Sequence, residues 1–163
     1  MGFVFDADLL STFAKIGRLD LLAKIFGNKD LFIPPAVASD LNRSKSILVK
    51  NALQSKFFQQ INISHQEKEL IKKISERKNL GIGEIECLAV CKERKMVVVT
   101  NDNKAIKLAE DLGIDVIDLE TMLYSMKELM EISELKKVIN DIETKDKVVI
   151  LNKDKILKNS QYE

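Results

Sequence analysis

The chain has 163 residues, 26 of them Lys or Arg and 25 Asp or Glu, a net charge of +1 that excludes a broadly basic nucleic-acid binder yet permits a local basic rim. A content of 45% apolar and 31% charged residues excludes a disordered chain, and the length suits one domain spanning residues 1–163 with a sizeable core. The longest run free of Asp, Glu, Lys and Arg, Phe57–Gln66, is ten residues, half of a membrane span, and Asp6 and Asp8 interrupt any signal-peptide core, so a cytoplasmic protein with no membrane partner is expected.

Phe3-Val4-Phe5 is a short apolar run, too short for a helix and suited to a buried strand. Asp6 and Asp8 follow. Leu9, Leu10, Phe13 and Ala14 then recur at helical spacing up to Gly17. Asp20–Phe26 predicts a second short helix, closed by Gly27-Asn28, and Leu31–Ile33 a second strand. Pro34-Pro35 opens the next helix, since proline suits a first helical turn. Val37 and Leu41 mark its buried side. Asp40 lies near its end, where the macrodipole disfavours a carboxylate. Either that helix continues through Arg43 or Asp40 is kept for another purpose.

Ser44–Lys56 predicts a helix marked by Ile47, Val49 and Leu53, and the last part of Phe57–Ile63 a short strand. Ser64 and Glu67 form a capping box. Leu70, Ile71 and Ile74 stripe the helix that follows, which is expected to end near Asn79. Gly81 and Gly83 give the backbone freedom ahead of a helix bearing Glu84, Ile85 and Leu88. Met96–Val99 is the clearest strand. Asp102 can cap the next helix, which carries Ala105, Ile106 and Ala109 and stops at Gly113. Val116-Ile117 is a last strand, followed by a helix with Leu119, Met122, Leu123 and Met126. From about residue 125 the chain reads as a helical extension: Ser133–Ile142 is a helix, Lys147–Leu151 an apolar patch, and Lys153–Lys158 a final turn or helix.

Short apolar runs alternating with amphipathic helices imply an α/β fold with a short central parallel sheet and helices on both faces. Residues that follow parallel strands share the sheet's C-terminal edge. Asp6 follows the first strand and Asp102 the Met96–Val99 strand. Glu84 opens the helix feeding that strand, so it starts at the same edge. Three carboxylates converging there repel one another, and a cation or a proton must relieve them. All-oxygen donors select hard ions such as Mg²⁺ or Mn²⁺, which activate water for phosphodiester cleavage. Cys87 and Cys91 share a helix face, but with His65 as the only histidine a zinc site lacks ligands, and both are read as core.

The segments Phe5-Asp6-Ala7-Asp8-Leu9-Leu10, Ile33-Pro34-Pro35-Ala36-Val37, Asp40-Leu41, Gly81-Ile82-Gly83-Glu84 and Val99-Thr100-Asn101-Asp102 together resemble the PIN-domain family over Phe3 to about Leu123. Ala14–Leu22 and the helical tail are similar to a prokaryotic subgroup close to the VapC-type toxins. The resemblance implies a flavodoxin-like three-layer fold and a Mg²⁺- or Mn²⁺-dependent endoribonuclease cleaving single-stranded or structured RNA. It implies Asp6, Asp40, Glu84 and Asp102 as the catalytic, metal-binding acids. It further implies a small antitoxin protein as partner and a homodimer. The sequence departs from the family pattern in three places. Asp40 replaces the usual Glu and is one methylene shorter. Asp8 stands where a small polar residue is more usual, and Asn101 where another Asp is common. These departures keep open a catalytically degenerate domain that binds RNA or protein without cutting.

Each acid also has a plainer reading. Asp6, Asp102 and Asp118 can cap helices. Asp8 leans to a supporting role, and Thr100 can orient Asp102 or a water. Lys15, Arg18, Arg43, Lys45 and Lys104 can flank the acidic edge and hold phosphates, although scattered lysines are usually a solvated face. Tyr124 and the methionines of Met122–Met130 suit either an interface or the core. A nucleotide-binding α/β domain is disfavoured because Gly81 and Gly83 do not directly follow a strand.

Overall fold

The structure, a computed structural model, describes residues 1–27, 29–76 and 79–158. Five short strands form one wholly parallel sheet. They are β1 (Phe3–Phe5), β2 (Leu31–Ile33), β3 (Gln59–Gln60), β4 (Val97–Val99) and β5 (Val116–Ile117), in the spatial order β3-β2-β1-β4-β5. The helices between them are α1 (Ala7–Lys15), α2 (Asp20–Phe26), α3 (Pro35–Arg43), α4 (Ile47–Ala52), α5 (His65–Ser75), α6 (Ile82–Arg94) and α7 (Asn103–Leu112), and α8 (Leu119–Met126) follows β5. The chain steps outward from β1 to β3, then returns to the far side of β1 for β4 and β5. Crossovers of one hand leaving β1 in opposite directions put helices on both faces. All three residues of β1 and of β4 are buried, as central strands covered on both sides require.

The register pairs Phe5 with Val99, so the residues after these strands, Asp6 and Thr100, emerge side by side. The gap between β1 and β4 is where the strand order reverses, the usual ligand crevice of an open α/β sheet. Helix α6 is fastened to this region from within: the buried Cys87 thiol donates to the Phe5 carbonyl, Sγ to O 3.4 Å. Both cysteines are buried, as expected, and burial pushes both thiols well up from their ordinary range.

Several elements differ from their sequence expectation. The helix expected over Ser44–Lys56 shrinks to α4. Ser44 Oγ accepts from the Ser46 N–H at 3.2 Å, and Ser46 Oγ accepts from the Val49 N–H at 3.5 Å. Such local bonds compete with a helix and restart it at Ile47. The strand expected late in Phe57–Ile63 falls earlier, on two exposed glutamines, because the register of β3 is set by pairing with Phe32 and Ile33. Two expected ends involve residues outside the described ones: Asn28, and Arg77-Lys78 ahead of Asn79.

The C-terminal part packs onto this frame. Helix α9 (Ile132–Asp141) runs into a single π-helical turn, Ile142–Asp146, and α10 (Lys153–Leu157) follows. Leu135, Ile142, Ile150 and Ile156 are buried in the same core as the sheet residues. Met122 and Met126 are wholly buried and so are core residues, while Tyr124 and Leu129 remain exposed. No helix among the described residues is long and apolar enough to cross a membrane.

Candidate functional site

Asp6 leaves β1 and caps α1. Its Oδ1 accepts from the Leu9 N–H at 3.0 Å, and its Oδ2 accepts from the Thr100 hydroxyl. Its own N–H donates to the Val99 carbonyl at 3.1 Å, which completes the β1–β4 ladder. The side chain is 2% exposed. Burial disfavours its charged form, and the nearby charges of Asp8 and Glu84 add to that effect. The hydroxyl of Thr100 and the N–H of Leu9 oppose it but lose, and the carboxyl is raised to about 6.

Thr100 ties two acids together. Its O–H donates to Asp6, and the same oxygen accepts from the Asp102 N–H at 3.2 Å. The expected role of orienting Asp102 thus falls on the backbone, and the side chain that Thr100 holds is that of Asp6. Asp102 is half-buried and caps α7 through Oδ1, which accepts from the Ala105 N–H at 2.8 Å. The capping reading of Asp6 and Asp102 therefore holds, and it is compatible with a site. One oxygen of each carboxylate fixes its place at a helix start, where the dipole favours an anion. Asp118 is a cap as well, accepting from the Thr121 N–H.

Glu84 lies in the first turn of α6 and is half-buried. The two glycines before it act through space, not through unusual backbone angles. Gly81 has an extended backbone with φ −67° and ψ 157°, which any residue adopts. A side chain there would run into the Glu84 carboxylate. A Cβ at Gly83 would stand 3.3 Å from Asp40 Oδ2 and 3.5 Å from Val37. Gly83 thus lets α3 approach α6 with Asp40 beside the start of the Glu84 helix, while Gly81 leaves room for the Glu84 carboxylate itself. Helix α3 does run on through Arg43, whose guanidinium bonds the Asp40 carboxylate. Asp8 is exposed, and Asn101 accepts from the Leu119 N–H at 3.4 Å.

These acids thus collect at one edge by topology. Among the described residues, however, no group of three or more His, Cys, Asp or Glu side chains stands in an arrangement that holds a metal ion. The donor set itself fits a hard divalent ion: oxygens only, one of them on a desolvated carboxylate repelled by two others.

Contacts that sequence reasoning missed surround the site. Thr12 is 3% exposed, and its hydroxyl bonds the Asp8 carbonyl at 3.1 Å and Asp146 Oδ2 at 2.5 Å. Lys15 Nζ lies 2.5 Å from Asp146 Oδ1. Glu86 accepts from the Ala36 N–H at 2.7 Å, capping a helix whose proline start offers no side-chain cap. Glu67, beyond its capping box, takes the Arg94 guanidinium at 2.6 Å. Nothing in spacing marks such long-range pairs. Of the expected basic rim, Arg18 is spent on Asp20 and Glu134 and Arg43 on Asp40, while Lys45 and Lys104 are exposed.

A family model for the PIN domain matches residues 2–156, so the chain belongs to the PIN-domain family, whose members are generally nucleases. Three solved structures share its fold. The chain resembles a PilT N-terminus domain protein from the hyperthermophilic archaeon Sulfolobus solfataricus P2 with 17% identity and a TM-score of 0.56, over 80% of this chain and 98% of that one. VapBC2 from Rickettsia felis, bound to a DNA fragment from its promoter, gives 16% and 0.53, over 72% and 98%. PAE2754 from Pyrobaculum aerophilum gives 17% and 0.52, over 78% and 99%. No curated protein matches the sequence significantly.

Proposed function

We propose that this protein is a Mg²⁺- or Mn²⁺-dependent endoribonuclease, with Asp6, Glu84, Asp102 and Asp40 as the acids that hold the metal. The observation that carries this reading is the buried Asp6 carboxylate at the β1–β4 crevice, raised to about 6 by desolvation and by the charges of Asp8 and Glu84. Keeping a repelled carboxylate in a buried position is costly, and a divalent cation relieves that cost directly. When bound, such an ion activates water and steadies the leaving oxygen of a phosphodiester. The chain's own part is positional. Thr100 fixes Asp6, the α7 cap fixes Asp102, and Gly81 and Gly83 leave room for Glu84 and Asp40. Likeness to the VapBC2 assembly supports reading the protein as a toxin restrained by a small antitoxin protein, and family habit supports a homodimer. We expect Asp6→Asn and Asp102→Asn each to abolish Mn²⁺-dependent cleavage of RNA. Undiminished cleavage by either variant would sink the assignment.

A second reading, a degenerate domain that binds RNA or protein without cutting, is favoured by the pairing of Asp40 with Arg43. Calorimetric titration with Mn²⁺ separates the two. Specific binding that is lost in Asp6→Asn supports the nuclease, and absence of binding supports the degenerate domain.

A further inference from the structure

Beside the candidate site lies a cleft of about 320 Å³ between α1 and the loop that follows β4. Asp8, Thr12, Lys15, Asn101, Asp102 and Asp146 are among its lining residues, so it is continuous with the acids already described. Lys15 is the only Lys or Arg in that lining. Its side chain is 38% exposed, while that of its partner Asp146 is 7% exposed. Asp146 does not belong to the strand-end acids. It ends the π-helical turn after α9, and it is gripped from both sides, by the Thr12 hydroxyl and by the Lys15 ammonium.

We propose that Lys15 takes a backbone phosphate of the RNA substrate in this cleft and that Asp146 is the positioning residue that aims it. The proposal rests on the nuclease reading above and deepens it. An unrestrained lysine loses much rotamer freedom on binding a phosphate. Anchoring one face of the ammonium to a buried carboxylate removes that loss in advance, and an ammonium has donors to spare. The charges of the cleft explain when this matters. Three carboxylates against one ammonium leave an excess of two negative charges, which repels RNA. A divalent cation on the neighbouring acids lessens that repulsion, and Lys15 is the cation of the cleft lining that faces the strand. A C-terminal segment thereby completes a substrate cleft whose other walls come from the first helix and the β4 loop.

The test pairs equilibrium binding with kinetics. Binding of a fluorescein-labelled single-stranded oligoribonucleotide is followed by anisotropy in Ca²⁺ over a range of salt, and KM and kcat are measured with Mn²⁺. Lys15→Met is expected to weaken binding about tenfold and to flatten the slope of log affinity against log salt by about 0.7, the loss of one phosphate contact to a single strand. KM should rise with kcat within about twofold, and Lys15→Arg should restore binding. Asp146→Asn should weaken binding several-fold with the salt slope kept, because Lys15 retains its charge. Unchanged binding and slope in Lys15→Met would overturn the proposal. So would tighter binding by Asp146→Asn, which would make the carboxylate a competitor for Lys15. So would a lowered melting temperature in Asp146→Asn together with normal binding by Lys15→Met, which would leave Asp146 as a tie for the tail. If the unaltered protein cleaves RNA and only the variant results fail, the nuclease reading stands without this inference. If the unaltered protein neither binds nor cleaves RNA, both fall.

Discussion

Asp6 carries an opposition between stability and function. Its folded-state carboxyl is raised to about 6 from an ordinary 3.8, so the folded protein binds this proton more tightly than the unfolded chain does. The stabilising contribution is complete below pH 4 and is lost as the pH rises through 6. That loss amounts to about 3 kcal/mol for the metal-free protein, at 1.36 kcal/mol per pKa unit. Chemical denaturation of the metal-free protein should show this fall between pH 4 and 6, and Asp6→Asn should remove it, being more stable than wild type at pH 7. Conversely, Mn²⁺ should raise the wild-type melting temperature more at pH 7 than at pH 5, since binding requires the charged form, and should do little for Asp6→Asn. Thr100→Val removes the hydroxyl that holds Asp6 and receives the Asp102 N–H. The expected cost is about 1–2 kcal/mol in urea denaturation, an upward move of the Asp6 transition, and a drop of tenfold or more in RNA cleavage.

Among the elements, helix starts do most of the positioning. Three of the acids at the β1–β4 edge, Asp6, Asp102 and Glu84, sit in or just before a first turn, where the peptide dipoles favour a negative charge. The G-x-G-E segment at the start of α6 spares volume for carboxylates, which makes a prediction distinct from one based on backbone freedom. Gly81→Ala meets only the far end of the Glu84 side chain and needs no unusual backbone angle. It should leave the melting temperature within a few degrees of wild type while lowering Mn²⁺ affinity several-fold in calorimetry. A loss of folding instead would show that conformational freedom was the reason for that glycine. The α5–α6 pair depends on a different device. Burial works against the charge of Glu67, but Arg94 and the Ser64 N–H outweigh it and hold its carboxyl below the usual range. Arg94→Met strands that carboxylate, and a loss of about 2 kcal/mol is expected above pH 5, smaller near pH 3, where Glu67 can be protonated.

For the whole molecule, the helices after β5 are structural as well as peripheral. Ile142 and Ile156 are fully buried, and Asp146 reaches across to α1. Ile156→Ala should therefore cost about 2–4 kcal/mol in thermal or urea unfolding, as expected for a truncated core isoleucine. A negligible change would mean that α10 detaches from the rest at little cost. The exposed Val149 and Leu151 flank the buried Ile150 in the strap before α10.

Much of this architecture was legible in the residues. The strands Phe3–Phe5 and Val97–Val99 were readable because a central parallel strand is apolar on both faces. The convergence of Asp6, Glu84 and Asp102 on one edge followed from the parallel direction of the strands, because every crossover returns the chain to the same edge. The capping roles of Asp6, Asp102 and Asp118 were readable too, because a cap is a local bond between residues three apart. The tertiary structure alone decided the rest, since those features depend on distance through space. It set the two-residue pairing of β3, the space that Gly81 and Gly83 leave for acids, and the Glu67–Arg94 pair. It also brought Asp146 to Thr12 and Lys15 across more than a hundred and thirty residues. Local sequence determines where a capped helix starts because the free energy of a cap is local. Which carboxylate meets which ammonium is settled only when the core has brought distant segments into contact.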